Sequence, residues 1–91
     1  MAKKKILVQE LSSPGCHICK EFEAFWRTIE KDWPGVEYQN ISVTTPEGQE
    51  MAGNYMIFAS PGIVINGELF STGGFSKEKF VEKLKNLSST A

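Results

Sequence analysis

The sequence predicts an α/β domain, a four-stranded mixed sheet with helices on both faces in the order βαβαββα. Three observations carry that prediction. An apolar run, KILVQEL at residues 5–11, ends at Ser12-Ser13-Pro14-Gly15 and is followed at once by apolar residues at helical spacing. A second run, VEYQNISV at 36–43, leads into the helix-start signal Thr45-Pro46-Glu47. Asn66-Gly67 then joins two further short runs as a hairpin. The 91 residues suffice for one domain. Its core is expected over 5–87, with flexible ends at 1–4 and 88–91.

The first run suits a central strand, buried on both faces, with Glu10 as its odd member. The helix that follows is expected from about Cys16 to Trp33. Cys19, Phe22, Trp26, Ile29 and Trp33 recur three and four apart, Ile18 and Phe25 widen that face, and Pro34-Gly35 ends it. Trp26 and Trp33 are therefore expected in or near the core. The second strand is β-branched and aromatic, but its alternation slips between Tyr38 and Ile41. A short helix is expected from Pro46 to about Asn54, with Met51, Ala52 and the adjoining Tyr55 as its apolar content.

Ser60-Pro61-Gly62 precedes the third strand, Ile63-Val64-Ile65, and Glu68 to Ser71 forms the fourth. Ser76 can cap a last helix whose buried face is Phe80, Val81, Leu84 and Leu87. Strands separated by helices are expected to pair in parallel through right-handed crossovers. The hairpin adds an antiparallel edge.

Composition narrows the function. Ten basic residues against eleven acidic ones argue against a nucleic-acid binder. Lys3, Lys4 and Lys5 read as a solvated end. No apolar stretch is long enough to cross a bilayer, and Ile6-Leu7-Val8 is too short for the core of a signal peptide. The expected setting is the cytoplasm, with no membrane partner and a monomeric chain. A purely structural disulfide is disfavoured there, so paired cysteines point to redox chemistry or to metal.

Both cysteines lie in CHICK, two residues apart, at the predicted strand-to-helix turn. That placement sets the Cys16 sulfur at a helix N-terminus, where unpaired N–H groups and the positive end of the helix dipole favour a thiolate. Cys19 falls on the same face one turn further in. Cys16 is thus the expected nucleophile and Cys19 the resolving thiol of thiol–disulfide exchange. A zinc or iron–sulfur site would need ligands beyond these two, for example from a second chain. His17, the single histidine, would favour a Cys16 thiolate when protonated.

These residues resemble the thioredoxin superfamily over nearly the whole chain, from Lys5 to Leu87. CHICK resembles the family's C-x-x-C-K, with Lys20 in the basic place. NYMIFASPG is similar to its Y-x-I-x-x-x-P segment, with Tyr55, Ile57 and Pro61 in register. IVINGELFSTGGFSK resembles its strand–NG–strand–glycine–helix ending. The resemblance implies a thioredoxin-like fold without the extra N-terminal strand and helix of full-length thioredoxin. It implies exchange with protein disulfides, no bound organic cofactor beyond the redox-active disulfide, and electrons from a separate reductase or small thiol. It also implies that Pro61 is cis and next to Cys16, and that Ser60 offers its main chain to an extended substrate. Apolar residues around Pro61 and Phe75 would form a shallow docking surface.

The sequence departs from the family at several positions. Ser60 stands where a branched residue is common and Gly62 where threonine often follows. His17-Ile18 replaces the Gly-Pro of thioredoxin and the Pro-Tyr of glutaredoxin. Glu10 occupies the place of the buried acid that takes a proton from the second cysteine, with Gln9 as the competing position. Gly73 and Gly74 leave open a glutathione-dependent glutaredoxin reading, in which they help hold glutathione. A metal-binding or partner-docking thiol adaptor is the non-enzymatic alternative.

Overall fold

The computed structural model describes residues 5–89. Lys3 and Lys4 of the basic run, and residues 90–91 of the expected tail, lie outside the described residues. The elements are β1 (Ile6–Ser12), α1 (His17–Ile29), a 3-10 turn (Glu30–Asp32), β2 (Val36–Ser42), α2 (Pro46–Tyr55), β3 (Gly62–Ile65), β4 (Glu68–Thr72) and α3 (Lys77–Ser89). All seven predicted strands and helices form. α1 stops at Ile29, earlier than expected, and the 3-10 turn carries the chain on to Trp33. α3 continues through Ser88 and Ser89, where a frayed tail was expected.

The strand order is β2-β1-β3-β4. β1 and β2 pair in parallel, as expected for a βαβ unit. β3 corrects the expectation of a second parallel crossover: it pairs antiparallel with β1. The reason lies in the chain after α2. Met56 caps α2 in the left-handed conformation and turns the chain, and Gly62 then enters the sheet opposite Leu11, at the end where β1 finishes. β3 therefore runs back against β1. At the hairpin, Asn66 and Gly67 both have positive φ, +51° and +80°, as a type I′ turn requires. A register shift in the β3–β4 ladder leaves Phe70 unpaired, and its ring packs 5.8 Å from that of Phe80.

Two apolar layers flank the sheet. Phe22 and Trp26 of α1 and Phe80 and Leu84 of α3 pack on Ile6, Val8, Ile63 and Ile65. Met51 of α2 packs with Ile57 on Leu11, Ile41 and Val64 of the opposite face. This explains the slipped alternation in β2. Val36 and Tyr38 serve the α1–α3 layer, whereas Ile41 serves the α2 layer. Phe22 is the centre of the first layer, with the rings of Phe75 and Phe80 edge-on at 5.0 and 5.2 Å.

The helix starts obey their caps. Thr45 Oγ1 accepts from the Gly48 N–H at 3.0 Å, and Ser76 Oγ from Lys79 N–H at 3.3 Å. Gly48 packs so closely on the Ser42 and Val43 backbone that a Cβ would collide with it. That contact seats α2 against the end of β2.

Candidate active site

The site is assembled where β1 ends and α1 begins. Gly15, at φ +73°, turns the chain after β1. Cys16 is the N-cap of α1: its N–H donates to Ser13 O at 3.2 Å, and its Sγ accepts from the Cys19 N–H at 3.1 Å. Cys16 and Cys19 are joined as a disulfide, with Cα atoms 5.3 Å apart. The two cysteines differ in access. Cys16 is half-buried, whereas Cys19 is 2% exposed. The first cysteine is thus the more accessible of the pair and the second the more sheltered.

A second loop comes to the same end of the sheet. The Ser60–Pro61 peptide is cis, and Pro61 is fully buried. The hydroxyls of Ser13 and Ser60 are 2.6 Å apart, so the turn that carries Cys16 is tied directly to the loop of Pro61. The Ser60 main chain has no hydrogen-bond partner among the described residues. Gly73, at φ +74°, donates its N–H to Pro61 O at 3.0 Å. A Cβ there would press on Ala59, whereas one on Gly74 would meet nothing. Gly73 thus supports the proline loop, and Gly74 makes no comparable contact.

Gly62 is explained by packing. A Cβ at this position would lie 2.6 Å from Ile57 Cγ2, so Ile57 fills the room a larger residue would need. The departure from threonine is therefore an exchange of volume with the core beneath the loop.

Glu10 is completely buried. It lies on the face of β1 that carries Ile6 and Val8, under α1. Tyr38 donates its hydroxyl to Glu10 Oε1; Glu10 Oε2 is buried without a hydrogen-bond partner. Burial, the dominant effect, pushes the carboxyl up to about 7; the Tyr38 hydroxyl acts in the opposite sense, and nearby Glu23 adds to the rise. Burial beside Glu10 also pushes the Tyr38 phenol upward. Gln9, the competing position, instead donates to Gln39 across the strands at 3.2 Å. The acid under α1 is therefore Glu10.

His17 and Lys20 are exposed. His17 Nε2 lies 3.2 Å from the Glu21 carboxylate, which offsets the imidazole charge when it is protonated. Ile18, on the first turn of α1, does not widen its buried face: it is 38% exposed. Phe75 is not part of an exposed patch either. It is half-buried and its ring stacks on Phe25 at 5.8 Å. The exposed apolar residues near the site are Ile18 and Phe58, the latter at 87%. Phe58 also borders a small cleft, about 210 Å³, with Ser13, Ile57 and Ser60.

Sequence reasoning missed Tyr38, Ser13, Glu23 and Phe58. Only Tyr38 had a signal, since it sits where the alternation of β2 slips. Among the described residues there is no group of three or more His, Cys, Asp or Glu placed to hold a metal ion. No described helix is long and apolar enough to cross a membrane.

The comparisons agree with this geometry. A model of the thioredoxin domain matches residues 4–86. A thioredoxin from Methanocaldococcus jannaschii is 33% identical over 82 residues, which cover 89% of this chain and 94% of that protein. Among solved structures, Fasciola hepatica thioredoxin matches with a TM-score of 0.72 at 23% identity, covering 92% of this chain and 82% of its own. Oxidized thioredoxin O2 from Arabidopsis thaliana matches with a TM-score of 0.74 at 12% identity, covering 93% and 76%. At these identities the structural matches establish the fold. With the family match over most of its length, and a disulfide-linked C-x-x-C at the head of α1, the chain belongs to the thioredoxin domain family and is a thiol–disulfide oxidoreductase.

Proposed function

We propose that Cys16 is the attacking thiol and Cys19 the resolving thiol in exchange with protein disulfides. The observation that carries this reading is the unequal burial of the two cysteines at the start of α1. In the reduced protein the Cys16 thiolate attacks a substrate disulfide, and one substrate sulfur leaves as a thiolate. The Cys19 thiol then gives its proton to Glu10, and its sulfur attacks the Cys16 sulfur. The bond from Cys16 to substrate breaks, and the second substrate sulfur departs with the electron pair. Two electrons have passed to the substrate, and the Cys16–Cys19 disulfide remains. A Glu10 carboxyl near 7 can both accept and return that proton at neutral pH.

The open main chain of Ser60 offers hydrogen bonds to an extended substrate segment. Phe58 and Ile18 supply apolar contact on either side. The cycle needs no resident organic cofactor and draws its electrons from a separate reductase or small thiol, in the cytoplasm. The chain acts as a monomer, without nucleic acid or membrane.

Trapping tests this assignment. Cys19→Ser protein mixed with a disulfide-containing protein should accumulate a covalent adduct at Cys16, mapped by peptide mass analysis, and Cys16→Ser should give none. An adduct on Cys19 instead would reverse the roles. Preferential trapping of glutathione over the protein partner would favour the glutaredoxin-like reading.

A further inference from the structure

Glu10 is sealed from solvent and held on one side only. Its Oε1 accepts from the Tyr38 hydroxyl, whereas its Oε2 is buried without a hydrogen-bond partner. A charged oxygen left alone in that position is costly, so it is where a proton gains most. Tyr38 is itself packed against α1. Its ring lies 6.4 Å from that of Phe22 and 5.8 Å from that of Trp26. Cys19, Phe22 and Trp26 are the buried residues of α1, and Phe22 follows Cys19 by one turn on that face. The phenol therefore lies under the helix face that carries the second cysteine. We propose that Tyr38 is a positioning residue for the resolving step: by holding Oε1 it fixes the Glu10 carboxyl and leaves Oε2 to take the proton from Cys19.

Strand register gives the phenol its reach. Tyr38 is opposite Val8 and Asn40 is opposite Glu10 in the parallel ladder. The Tyr38 side chain thus crosses to its diagonal neighbour, a span that suits a long aromatic residue. Packing fixes the ring, and the hydroxyl at its tip fixes the carboxyl. Burial beside Glu10 pushes the phenol's own titration upward, so it stays a donor whether or not Glu10 is charged. The groups around the carboxyl oppose one another. Burial, and the charge of Glu23 on α1, disfavour its ionised form, and the Tyr38 hydroxyl favours it. β3 and α3 line the same layer with Ile63, Ile65, Phe80 and Leu84. During resolution the proton of the Cys19 thiol passes to Oε2. The electron pair left on the Cys19 sulfur forms the bond to the Cys16 sulfur, and the substrate sulfur leaves with the pair of the broken bond.

This inference rests on Glu10 as the base for Cys19. The test is stopped-flow reaction of the reduced protein with a nitrobenzoate disulfide that releases a coloured thiolate. The first release reports attack by Cys16 and serves as the reference; the second reports attack by Cys19. Tyr38→Phe keeps the ring and removes the donor. It should raise the pH midpoint of the second phase by about one unit and slow that phase several-fold at pH 7, because a hydrogen bond that favours the carboxylate is lost. The Glu10 carboxyl, followed by carbon NMR in the oxidised protein, should titrate about one unit higher as well. In a Glu10→Gln background, Tyr38→Phe should have no further effect on the midpoint. Tyr55→Phe, the same change on the α2 side of the sheet, should match the wild type. A second phase and a carboxyl titration that both stay unchanged in Tyr38→Phe overturn the proposal. So does a slower phase that keeps its midpoint, since that is a packing effect. If Glu10→Gln slows resolution while Tyr38→Phe does not, only the role of Tyr38 fails. If Glu10→Gln leaves resolution unaffected, the base assignment falls with it.

Discussion

The Tyr38 hydroxyl donates to the Glu10 carboxyl inside a layer otherwise built of aromatic and aliphatic side chains. Tyr38 pairs with Val8 in the sheet, two residues before Glu10, so the phenol reaches diagonally along the neighbouring strand. One neutral donor makes the buried acid tolerable without fully offsetting its desolvation. The carboxyl consequently sits near 7.

This has a thermodynamic consequence. Folding raises the Glu10 pKa from its ordinary 4.5 to about 7. Below 4.5 both the folded and unfolded chains carry the proton, and Glu10 contributes its full stability. Between 4.5 and about 7 the unfolded chain ionises first, so stability falls as pH rises. The loss should approach roughly 3 kcal/mol above pH 7. Glu10→Gln should be more stable than wild type at pH 8 and nearly equal to it at pH 4. Urea unfolding of the oxidised proteins measures this; a difference independent of pH would contradict it.

The Ser13–Ser60 hydrogen bond links the cysteine turn to the proline loop. In a double-mutant cycle, Ser13→Ala and Ser60→Ala should show a coupling of about 1 kcal/mol. Thermal unfolding of the four proteins gives the value. Additive effects would mean that the two loops are held independently.

Gly62 and Ile57 share one volume. Gly62→Ala should cost about 1–3 kcal/mol through overpacking. Trimming Ile57 to Val in that background should recover a large part of the loss, whereas Ile57→Val alone should be mildly destabilising. Failure of the second change to recover stability would show that the glycine is needed for its backbone.

Phe58 is 87% exposed, so Phe58→Ser should change stability by less than about 0.5 kcal/mol. If Phe58 docks protein substrates, the variant should show a several-fold higher KM for insulin disulfides and unchanged kinetics with a small aromatic disulfide. Equal effects on both substrates would place its role in the chemistry; no effect on either would remove it from the docking surface.

Much of the architecture was legible because its signals are local. A cap acts over three residues, an amphipathic face over one turn, and Asn66-Gly67 over a single hairpin. The C-x-x-C at a strand-to-helix turn is local too, and so is the helix-terminal field that bears on Cys16. The resemblance to thioredoxins added the cis peptide before Pro61, which local propensity alone would not favour.

What the sequence determined by itself was the set of elements and the cysteine pair at a strand-to-helix turn. The tertiary structure decided the antiparallel course of β3, because strand direction depends on where the chain re-enters the sheet. It decided that Glu10 is sealed rather than wet, and gave it Tyr38, 28 residues away, and Glu23 as neighbours. It joined Ser13 to Ser60 across 47 residues and matched the missing side chain of Gly62 to Ile57. These relations are set by which surfaces meet in the folded chain, and no periodicity or short motif encodes a meeting between distant residues.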